Sequence, residues 1–313
     1  MKFVPSEEQR LFAASLDKLL DQADTPSAVR AWSSGDHAPG RRVWTSLAEA
    51  GLFALAVPEE HDGAGLLPVE LVIALHELGR HAVPGPVVET LTAATLLTAV
   101  GDTRWLPRIA AGETLVTLAA PYALDADAAD LVLTIENGDL CEAEPTKALR
   151  PSIDPSRRLY EVTPTRALGR ADGTAPHLAA LLCAAQHLGL GRRLLELSVD
   201  YARTRNQYGH PIGEYQAVKH HLADALIDLE FARPLVHAAA LSHGTADFAR
   251  DASAAKIAAA EAGYATAKTA LQIHGAIAYT AEYAPSLWIR KSRALLNAWG
   301  SPSSHRAHLM TTL

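Results

Sequence analysis

The chain has 313 residues, 35 acidic against 28 basic, a formal charge of -7 and 49% hydrophobic residues. The acidic balance argues against nucleic acid as a partner, and no run approaches the roughly 20 apolar residues that span a bilayer. Two cysteines, Cys141 and Cys183, form no disulfide framework and sit in no metal-ligand spacing, so a soluble protein of the reducing cytoplasm without a metal site is expected.

In chain order, the opening MKFVPSEEQR puts acids ahead of any long apolar run, so no secretory leader is expected. Ser6-Glu-Glu-Gln reads as a helix N-cap, with Leu11, Leu16, Leu19 and Leu20 at helical spacing behind it. A second helix is predicted from about Arg42 to Ala50, ended by Gly51. The loop Pro58–Gly65 follows, then helices over Pro68–His81 and Val88–Val100. Between Thr117 and Leu168 the character changes to strand. Leu131–Ile135 and Leu159–Val162 have strand composition, and Glu136-Asn-Gly-Asp139 carries an Asn-Gly turn. From about Ala175 long Ala- and Leu-rich helices return over Leu178–Arg203, Tyr215–Ala240 and Ala246–Ile273, lengths that suit an antiparallel bundle. The expected division is residues 1–116, helical; 117–170, β; and 171–313, a helical bundle.

Gly189-Leu-Gly191 lies inside a helical run, so it is no dinucleotide loop. Arg192-Arg193 reads as a solvated helix face. The 14 histidines show no metal-ligand spacing. The most informative segment is Arg203-Thr-Arg205-Asn-Gln207-Tyr208-Gly209-His-Pro211-Ile212, followed by Gln216, His220 and Asp224. It is a helix end rich in guanidinium groups, a Gly-Pro turn and a new helix. Such a fork suits two oxygens of a phosphate or pyrophosphate; on composition alone a solvated helix terminus is the commoner reading.

In register, Tyr201-Ala-x-x-Arg205-x-Gln207-Tyr208-Gly209-x-Pro211-Ile212 resembles the acyl-CoA dehydrogenase family's Y-A-x-x-R-x-Q-F-G-x-P-I. Gln272-Ile-His-Gly275-Ala-Ile-Ala-Tyr279 is similar to that family's Q-x-x-G-G-x-G-Y, with alanine at two glycine positions. Leu47–Glu60 and Leu75–Arg80 resemble its first helical domain. The resemblance covers about residues 5–310. It implies a mainly α fold with an N-terminal helical domain, a small β domain and a C-terminal four-helix bundle. It also implies FAD at a dimer interface, where Arg205, Gln207, Tyr208, Gln272, Ile273 and Gly275 occupy the adenosine and pyrophosphate positions given to a neighbouring subunit's flavin.

Two departures follow from the same resemblance. Ala298-Trp299-Gly300-Ser301 stands where the family carries its catalytic glutamate, and indole accepts no proton near neutral pH. The family's other site for that glutamate, here His177–Cys183, holds no carboxylate. His305 nearby reads as a surface residue. The β region is about half the family's length and lacks its T-E-P-x-x-G-S-D stretch around Pro121–Asp127. The implied role is a non-catalytic subunit, with no catalytic residue of its own, of a heteromeric acyl-CoA dehydrogenase. It would be a heterotetramer of two copies of each chain, with a bulky, steroid-type acyl-CoA held mainly by the catalytic partner and FAD shared across the interface. The alternatives are a homomeric protein with different chemistry and a cofactor-free scaffold.

Overall fold

The computed structural model describes residues 4–146 and 149–312, so the outermost ends of the first and last expected spans lie outside the described residues. Helix α1 (Glu7–Gln22) opens on the expected cap: the Ser6 side chain accepts from Gln9 N–H, and the Gln9 side chain accepts from Ser6 N–H in return. Helix α2 (Thr25–Ser33) has no counterpart in the sequence reading, although Asp24 caps it and Pro26 sits in its first turn. Helix α3 (Ala38–Glu49) starts four residues before the expected Arg42. Pro39 reads as a breaker, but in a first turn its missing N–H costs nothing.

Helices α4 (Pro68–Arg80), α5 (Val87–Val100) and the short α6 (Leu106–Ala110) complete the first helical part. The β region contains β1 (Val116–Ala119), β2 (Ala123–Leu124), β3 (Leu131–Glu136), β4 (Asp139–Pro145), β5 (Leu159–Tyr160) and β6 (Val162–Arg170). The main sheet runs β1-β3-β4-β6, parallel between β1 and β3 and antiparallel elsewhere. The β3–β4 turn uses the predicted Asn137 and Gly138, both at positive φ. The expected strand Leu159–Val162 divides: its first half pairs with β2, while Val162 begins β6 on the other sheet.

Helix α7 (Ala175–Thr204) leads to a small hairpin of β7 (Asn206–Gln207) and β8 (His210–Pro211). Helices α8 (Gln216–Leu241), α9 (Phe248–His274) and α10 (Pro285–Leu295) pack with α7 as the bundle, and α11 (Pro302–Thr312) lies along α9. Close approach explains the glycines of α7. A Cβ on Gly189 would meet the His76 carbonyl oxygen at 1.8 Å, and one on Gly79 would meet that of Gln186 at 2.0 Å. Each glycine thus admits the other helix's backbone. Gly189 serves helix packing.

Where the chain leaves β2, Asp125 is fully buried at φ 54. Its N–H donates to the Arg158 carbonyl at 2.6 Å, and its Oδ1 accepts from Arg158 N–H at 3.0 Å. Its Oδ2 has no hydrogen-bond partner among the described residues. Burial pushes this carboxyl up to about 7, against the Arg158 hydrogen bond and the charges of Arg157 and Lys291.

Gly189→Ala is expected to cost about 1–3 kcal/mol, because a carbonyl oxygen cannot rotate out of the way. Urea unfolding measures it, and an unchanged midpoint would show that the α4–α7 approach is looser than described. Asp125 gives a pH prediction. Its folded value lies above the unfolded one of roughly 4, so its stabilisation is present at low pH and is lost as pH rises through about 7. Between pH 5 and 8 the melting temperature should fall relative to that of Asp125→Asn, which lacks this titration. Equal slopes in the two proteins would mean that Asp125 is not the group that titrates.

Candidate functional site

A cleft lies between the β sheet, the buried helix α5 and the connection from α10 to α11. Helix α5 reads VVETLTAATLLTAV and is buried on nearly every face, with Glu89 its only charged residue. The cleft holds two cavities. One, of about 450 Å³, is lined by Glu89, Tyr122, Ile153, Arg157, Asn297 and Trp299 among others. The second, of about 580 Å³, is lined by Thr134, His177, Ser253, Gly300, His305 and again Trp299. Leu118, Ala120, Pro121 and Trp299 are common to both walls.

Trp299 is fixed at both ends. Its φ of 56° is left-handed, a conformation that costs a side-chain-bearing residue about 1–2 kcal/mol. Its indole N–H donates to Glu89 Oε1 at 3.1 Å, and its carbonyl accepts from His305 Nε2 at 2.9 Å. His305 Nδ1 lies 3.1 Å from Ser253 Oγ. The expectation of a surface histidine is therefore corrected. His305 is half-buried, and burial lowers its pKa while the bond to Trp299 O opposes that shift. With Nε2 donating and Nδ1 accepting from the Ser253 hydroxyl, neither ring nitrogen is left to take a substrate proton.

Sequence reasoning missed Glu89. It is 4% exposed, and burial raises its pKa against the opposing influences of Arg157, the Trp299 indole and Lys291. The signal was a single acid in an otherwise uncharged helix. Two buried ammonium groups nearby were also unforeseen. Lys256 Nζ donates to the Leu295 carbonyl at 2.7 Å, and Lys291 Nζ to that of Val83 at 2.8 Å, and burial lowers the pKa of each. Lys256 meets the carbonyl end of α10, where a cation is favoured. Together these bonds hold α10 and so the segment that carries Trp299.

The six residues of the implied adenosine side lie at the far end of the bundle. Arg205 caps α7 and is exposed; its guanidinium has no ion-pair or hydrogen-bond partner among the described residues. Gln207 and Tyr208 sit in the exposed β7–β8 hairpin, Tyr208 at φ 52 and 90% exposed. Gln272 and Ile273 are in the last turn of α9, and Gly275 follows at φ 67. The two segments meet through Tyr201 and His274, whose rings lie 4.5 Å apart, and through Ser198 Oγ and His274 Nε2 at 3.2 Å. The structure thus packs the end of α7 against the end of α9, with Tyr201 and His274 73 positions apart in the sequence.

Arg192 and Arg193 do not form the expected solvated face. Arg192 pairs with Glu196 at 3.1 Å and Glu230 at 3.4 Å, Arg193 with Glu196 at 3.8 Å, and Arg192 lines a third cavity of about 450 Å³ between α1, α4, α7 and α8. Asp17, Asp21 and His81 also cluster. Asp17 already accepts from Arg80 at 2.7 Å and lies 2.8 Å from His81 Nε2, so this is an ion-pair network. No described helix is long and apolar enough to cross a membrane.

Comparison with known proteins follows this geometry. The family profile for the acyl-CoA dehydrogenase N-terminal domain matches residues 6–113, and that for the C-terminal domain matches residues 174–313. Acyl-CoA dehydrogenase IpdE2 of Mycolicibacterium smegmatis is 34% identical over 303 residues, 95% of this chain and 96% of that protein. IpdE2 of Mycobacterium tuberculosis is 34% identical over 310 residues, 95% of each. Among solved structures, a variant of the Tcur3481-Tcur3483 steroid ACAD superposes with a TM-score of 0.87 at 24% identity, covering 97% of both chains. The ChsE4-ChsE5 complex of Mycobacterium tuberculosis does so at 0.87 and 22%, covering 99% and 98%. At those identities the solved structures establish the fold. The matches to both terminal domains and to full-length relatives show that this chain belongs to the acyl-CoA dehydrogenase family.

Proposed function

We propose that the chain is the non-catalytic subunit of a cytoplasmic, heteromeric FAD-dependent acyl-CoA dehydrogenase that desaturates a bulky, steroid-derived acyl-CoA. The observation that carries this reading is a distance. Helix α7 has 30 residues, roughly 45 Å at 1.5 Å per residue. His177 at its start lines the cleft, and Arg205 stands at its end. A single dinucleotide does not span that length, so Arg205 serves a flavin seated in another chain.

The residues at that end suit the role. Arg205 offers an unpaired guanidinium fork, and Gly209 and Gly275 leave open space where side chains would otherwise stand. Arg205, Gln207, Tyr208, Gln272, Ile273 and Gly275 would hold the adenosine and pyrophosphate of the partner's FAD. When bound, that cofactor supplies the acceptor for a substrate hydride. This chain's own cleft offers no carboxylate at Trp299 and none on the first turns of α7, and the partner is assigned the glutamate. The similarity to the Tcur3481-Tcur3483 steroid ACAD and to the ChsE4-ChsE5 complex supports a two-chain assembly and the substrate class by analogy. The division near residues 116 and 170 is part of the same reading. A homomeric enzyme would have to draw on groups outside the family's two glutamate positions, and Glu89, the buried acid of the cleft, is already bonded to Trp299.

Expressed with a full-length acyl-CoA dehydrogenase from the same genome that is its partner, the chain should co-purify with one FAD per pair of unlike chains. Alone it should be colourless and inactive, and Trp299→Glu should not restore turnover. A yellow, active chain purified by itself would overturn the reading. Arg205→Ala should weaken flavin retention in the complex about ten- to a hundredfold, the worth of a charge-assisted hydrogen bond. The melting temperature of the subunit should not change, and Arg205→Lys should recover only part of the loss. Unchanged flavin content with a lowered melting temperature would make Arg205 a structural residue.

A further inference from the structure

Trp299 does more than stand in place of a base. The residue borders both cavities of the cleft and packs against both large apolar clusters of the molecule. Its indole is tied to α5 through Glu89 and its carbonyl to α11 through His305. The next residue tightens the hold. Gly300, at φ 103, lies so close to His305 that a Cβ would meet the ring at 2.4 Å. A left-handed tryptophan persists only where its surroundings over-determine it, and here a side-chain bond, a backbone bond and packing on two cores do so.

We propose that Trp299 is a locked partition, with Glu89 its positioning residue, that divides the cleft of this subunit and shuts an acyl thioester out of it. Each chamber alone falls in the lower or middle part of the roughly 300–1,000 Å³ range of small-molecule pockets. A bulky acyl group with its thioester needs one continuous space, and Trp299 stands in the shared wall as its largest side chain, beside Leu118, Ala120 and Pro121. The carboxylate has a defined task in this arrangement. Glu89 accepts the indole N–H, which holds the ring across the cleft, and the Glu89–Trp299 bond occupies the only acid of α5. The assembly is then one-sided by construction: the partner's cleft takes the acyl thioester and this one does not. The inference rests on the two-chain reading only for the count of sites.

The test counts ligands. A non-reactive CoA thioether with a ring-bearing tail is titrated into the co-purified complex, and flavin is counted in the same samples. The wild-type complex should bind one thioether per unlike pair, and Trp299→Gly, which suits the left-handed backbone, should bind two while flavin stays at one. Glu89→Gln keeps an acceptor oxygen and should match wild type; Glu89→Leu should raise the count above one. Two thioethers per pair in wild type, or one in a folded Trp299→Gly complex, would overturn the partition and leave the shared flavin standing. One flavin per chain would instead overturn the shared flavin and leave the partition standing. A second measurement does not depend on how well the glycine variant folds. Of the five indole N–H signals, that of Trp299 should exchange slowly with solvent in wild type and Glu89→Gln and at least tenfold faster in Glu89→Leu. Fast exchange in wild type would show that there is no lock.

Discussion

The rigidity of α7 is the constraint on which the rest of the molecule depends. Its 30 residues are buried for most of their length, and glycine pairs let α4 and α9 approach its backbone directly. The Cβ of a residue at Gly263, on α9, would meet the His187 ring of α7 at 2.5 Å. A helix clamped in this way on two sides cannot bend to bring its ends together. The cleft at its start and the Arg205 hairpin at its end are therefore held at a set distance. Packing decides that length.

The cleft end is organised by buried charge. Lys256, Lys291, Glu89 and Asp125 are each under about a tenth exposed. Removing an ion from water costs several kcal/mol, and a hydrogen bond to a charged group contributes roughly 1.5–3. Stability alone does not explain four such groups in one region. Their partners do: Lys256 and Lys291 reach backbone carbonyls at Leu295 and Val83, Asp125 holds the Arg158 backbone, and Glu89 holds an indole. Each ion positions a chain segment that apolar contact would leave free to slide. The segment carrying Trp299 is the one most thoroughly fixed.

The β region shows the opposite economy. β6 is exposed along most of its length, and its outer face carries Arg166, paired with Glu142, which also meets Arg104. Charges on an edge strand discourage pairing with a stray strand. The two register shifts in the β4–β6 pair twist that edge further. A small sheet with a guarded edge can close one wall of a cleft without offering a surface for aggregation.

Much of this was legible without coordinates, because it depends on local chemistry. The Ser6 cap, the Asn137-Gly138 turn, the long Ala- and Leu-rich helices and the Arg205–Ile212 motif are written in neighbouring residues, whose spacing alone specifies a cap, a turn or an apolar stripe. The lack of a carboxylate at Trp299 and over His177–Cys183 was equally plain. Other features were not readable, since they join residues far apart in the chain. Glu89 meets Trp299 across 210 positions, and Lys291 meets Val83 across 208. A lone acid in α5 looks like any helix acid until burial removes its water. His305 looked like a surface residue because its partners, Ser253 and the Trp299 carbonyl, come from α9 and from the turn before α11. The sequence by itself determined the longer helices, the Asn137-Gly138 turn and the absence of a carboxylate at Trp299. Tertiary structure decided what surrounds Trp299, because only packing brings a buried carboxyl group, an indole and a histidine from three separate segments within hydrogen-bonding reach.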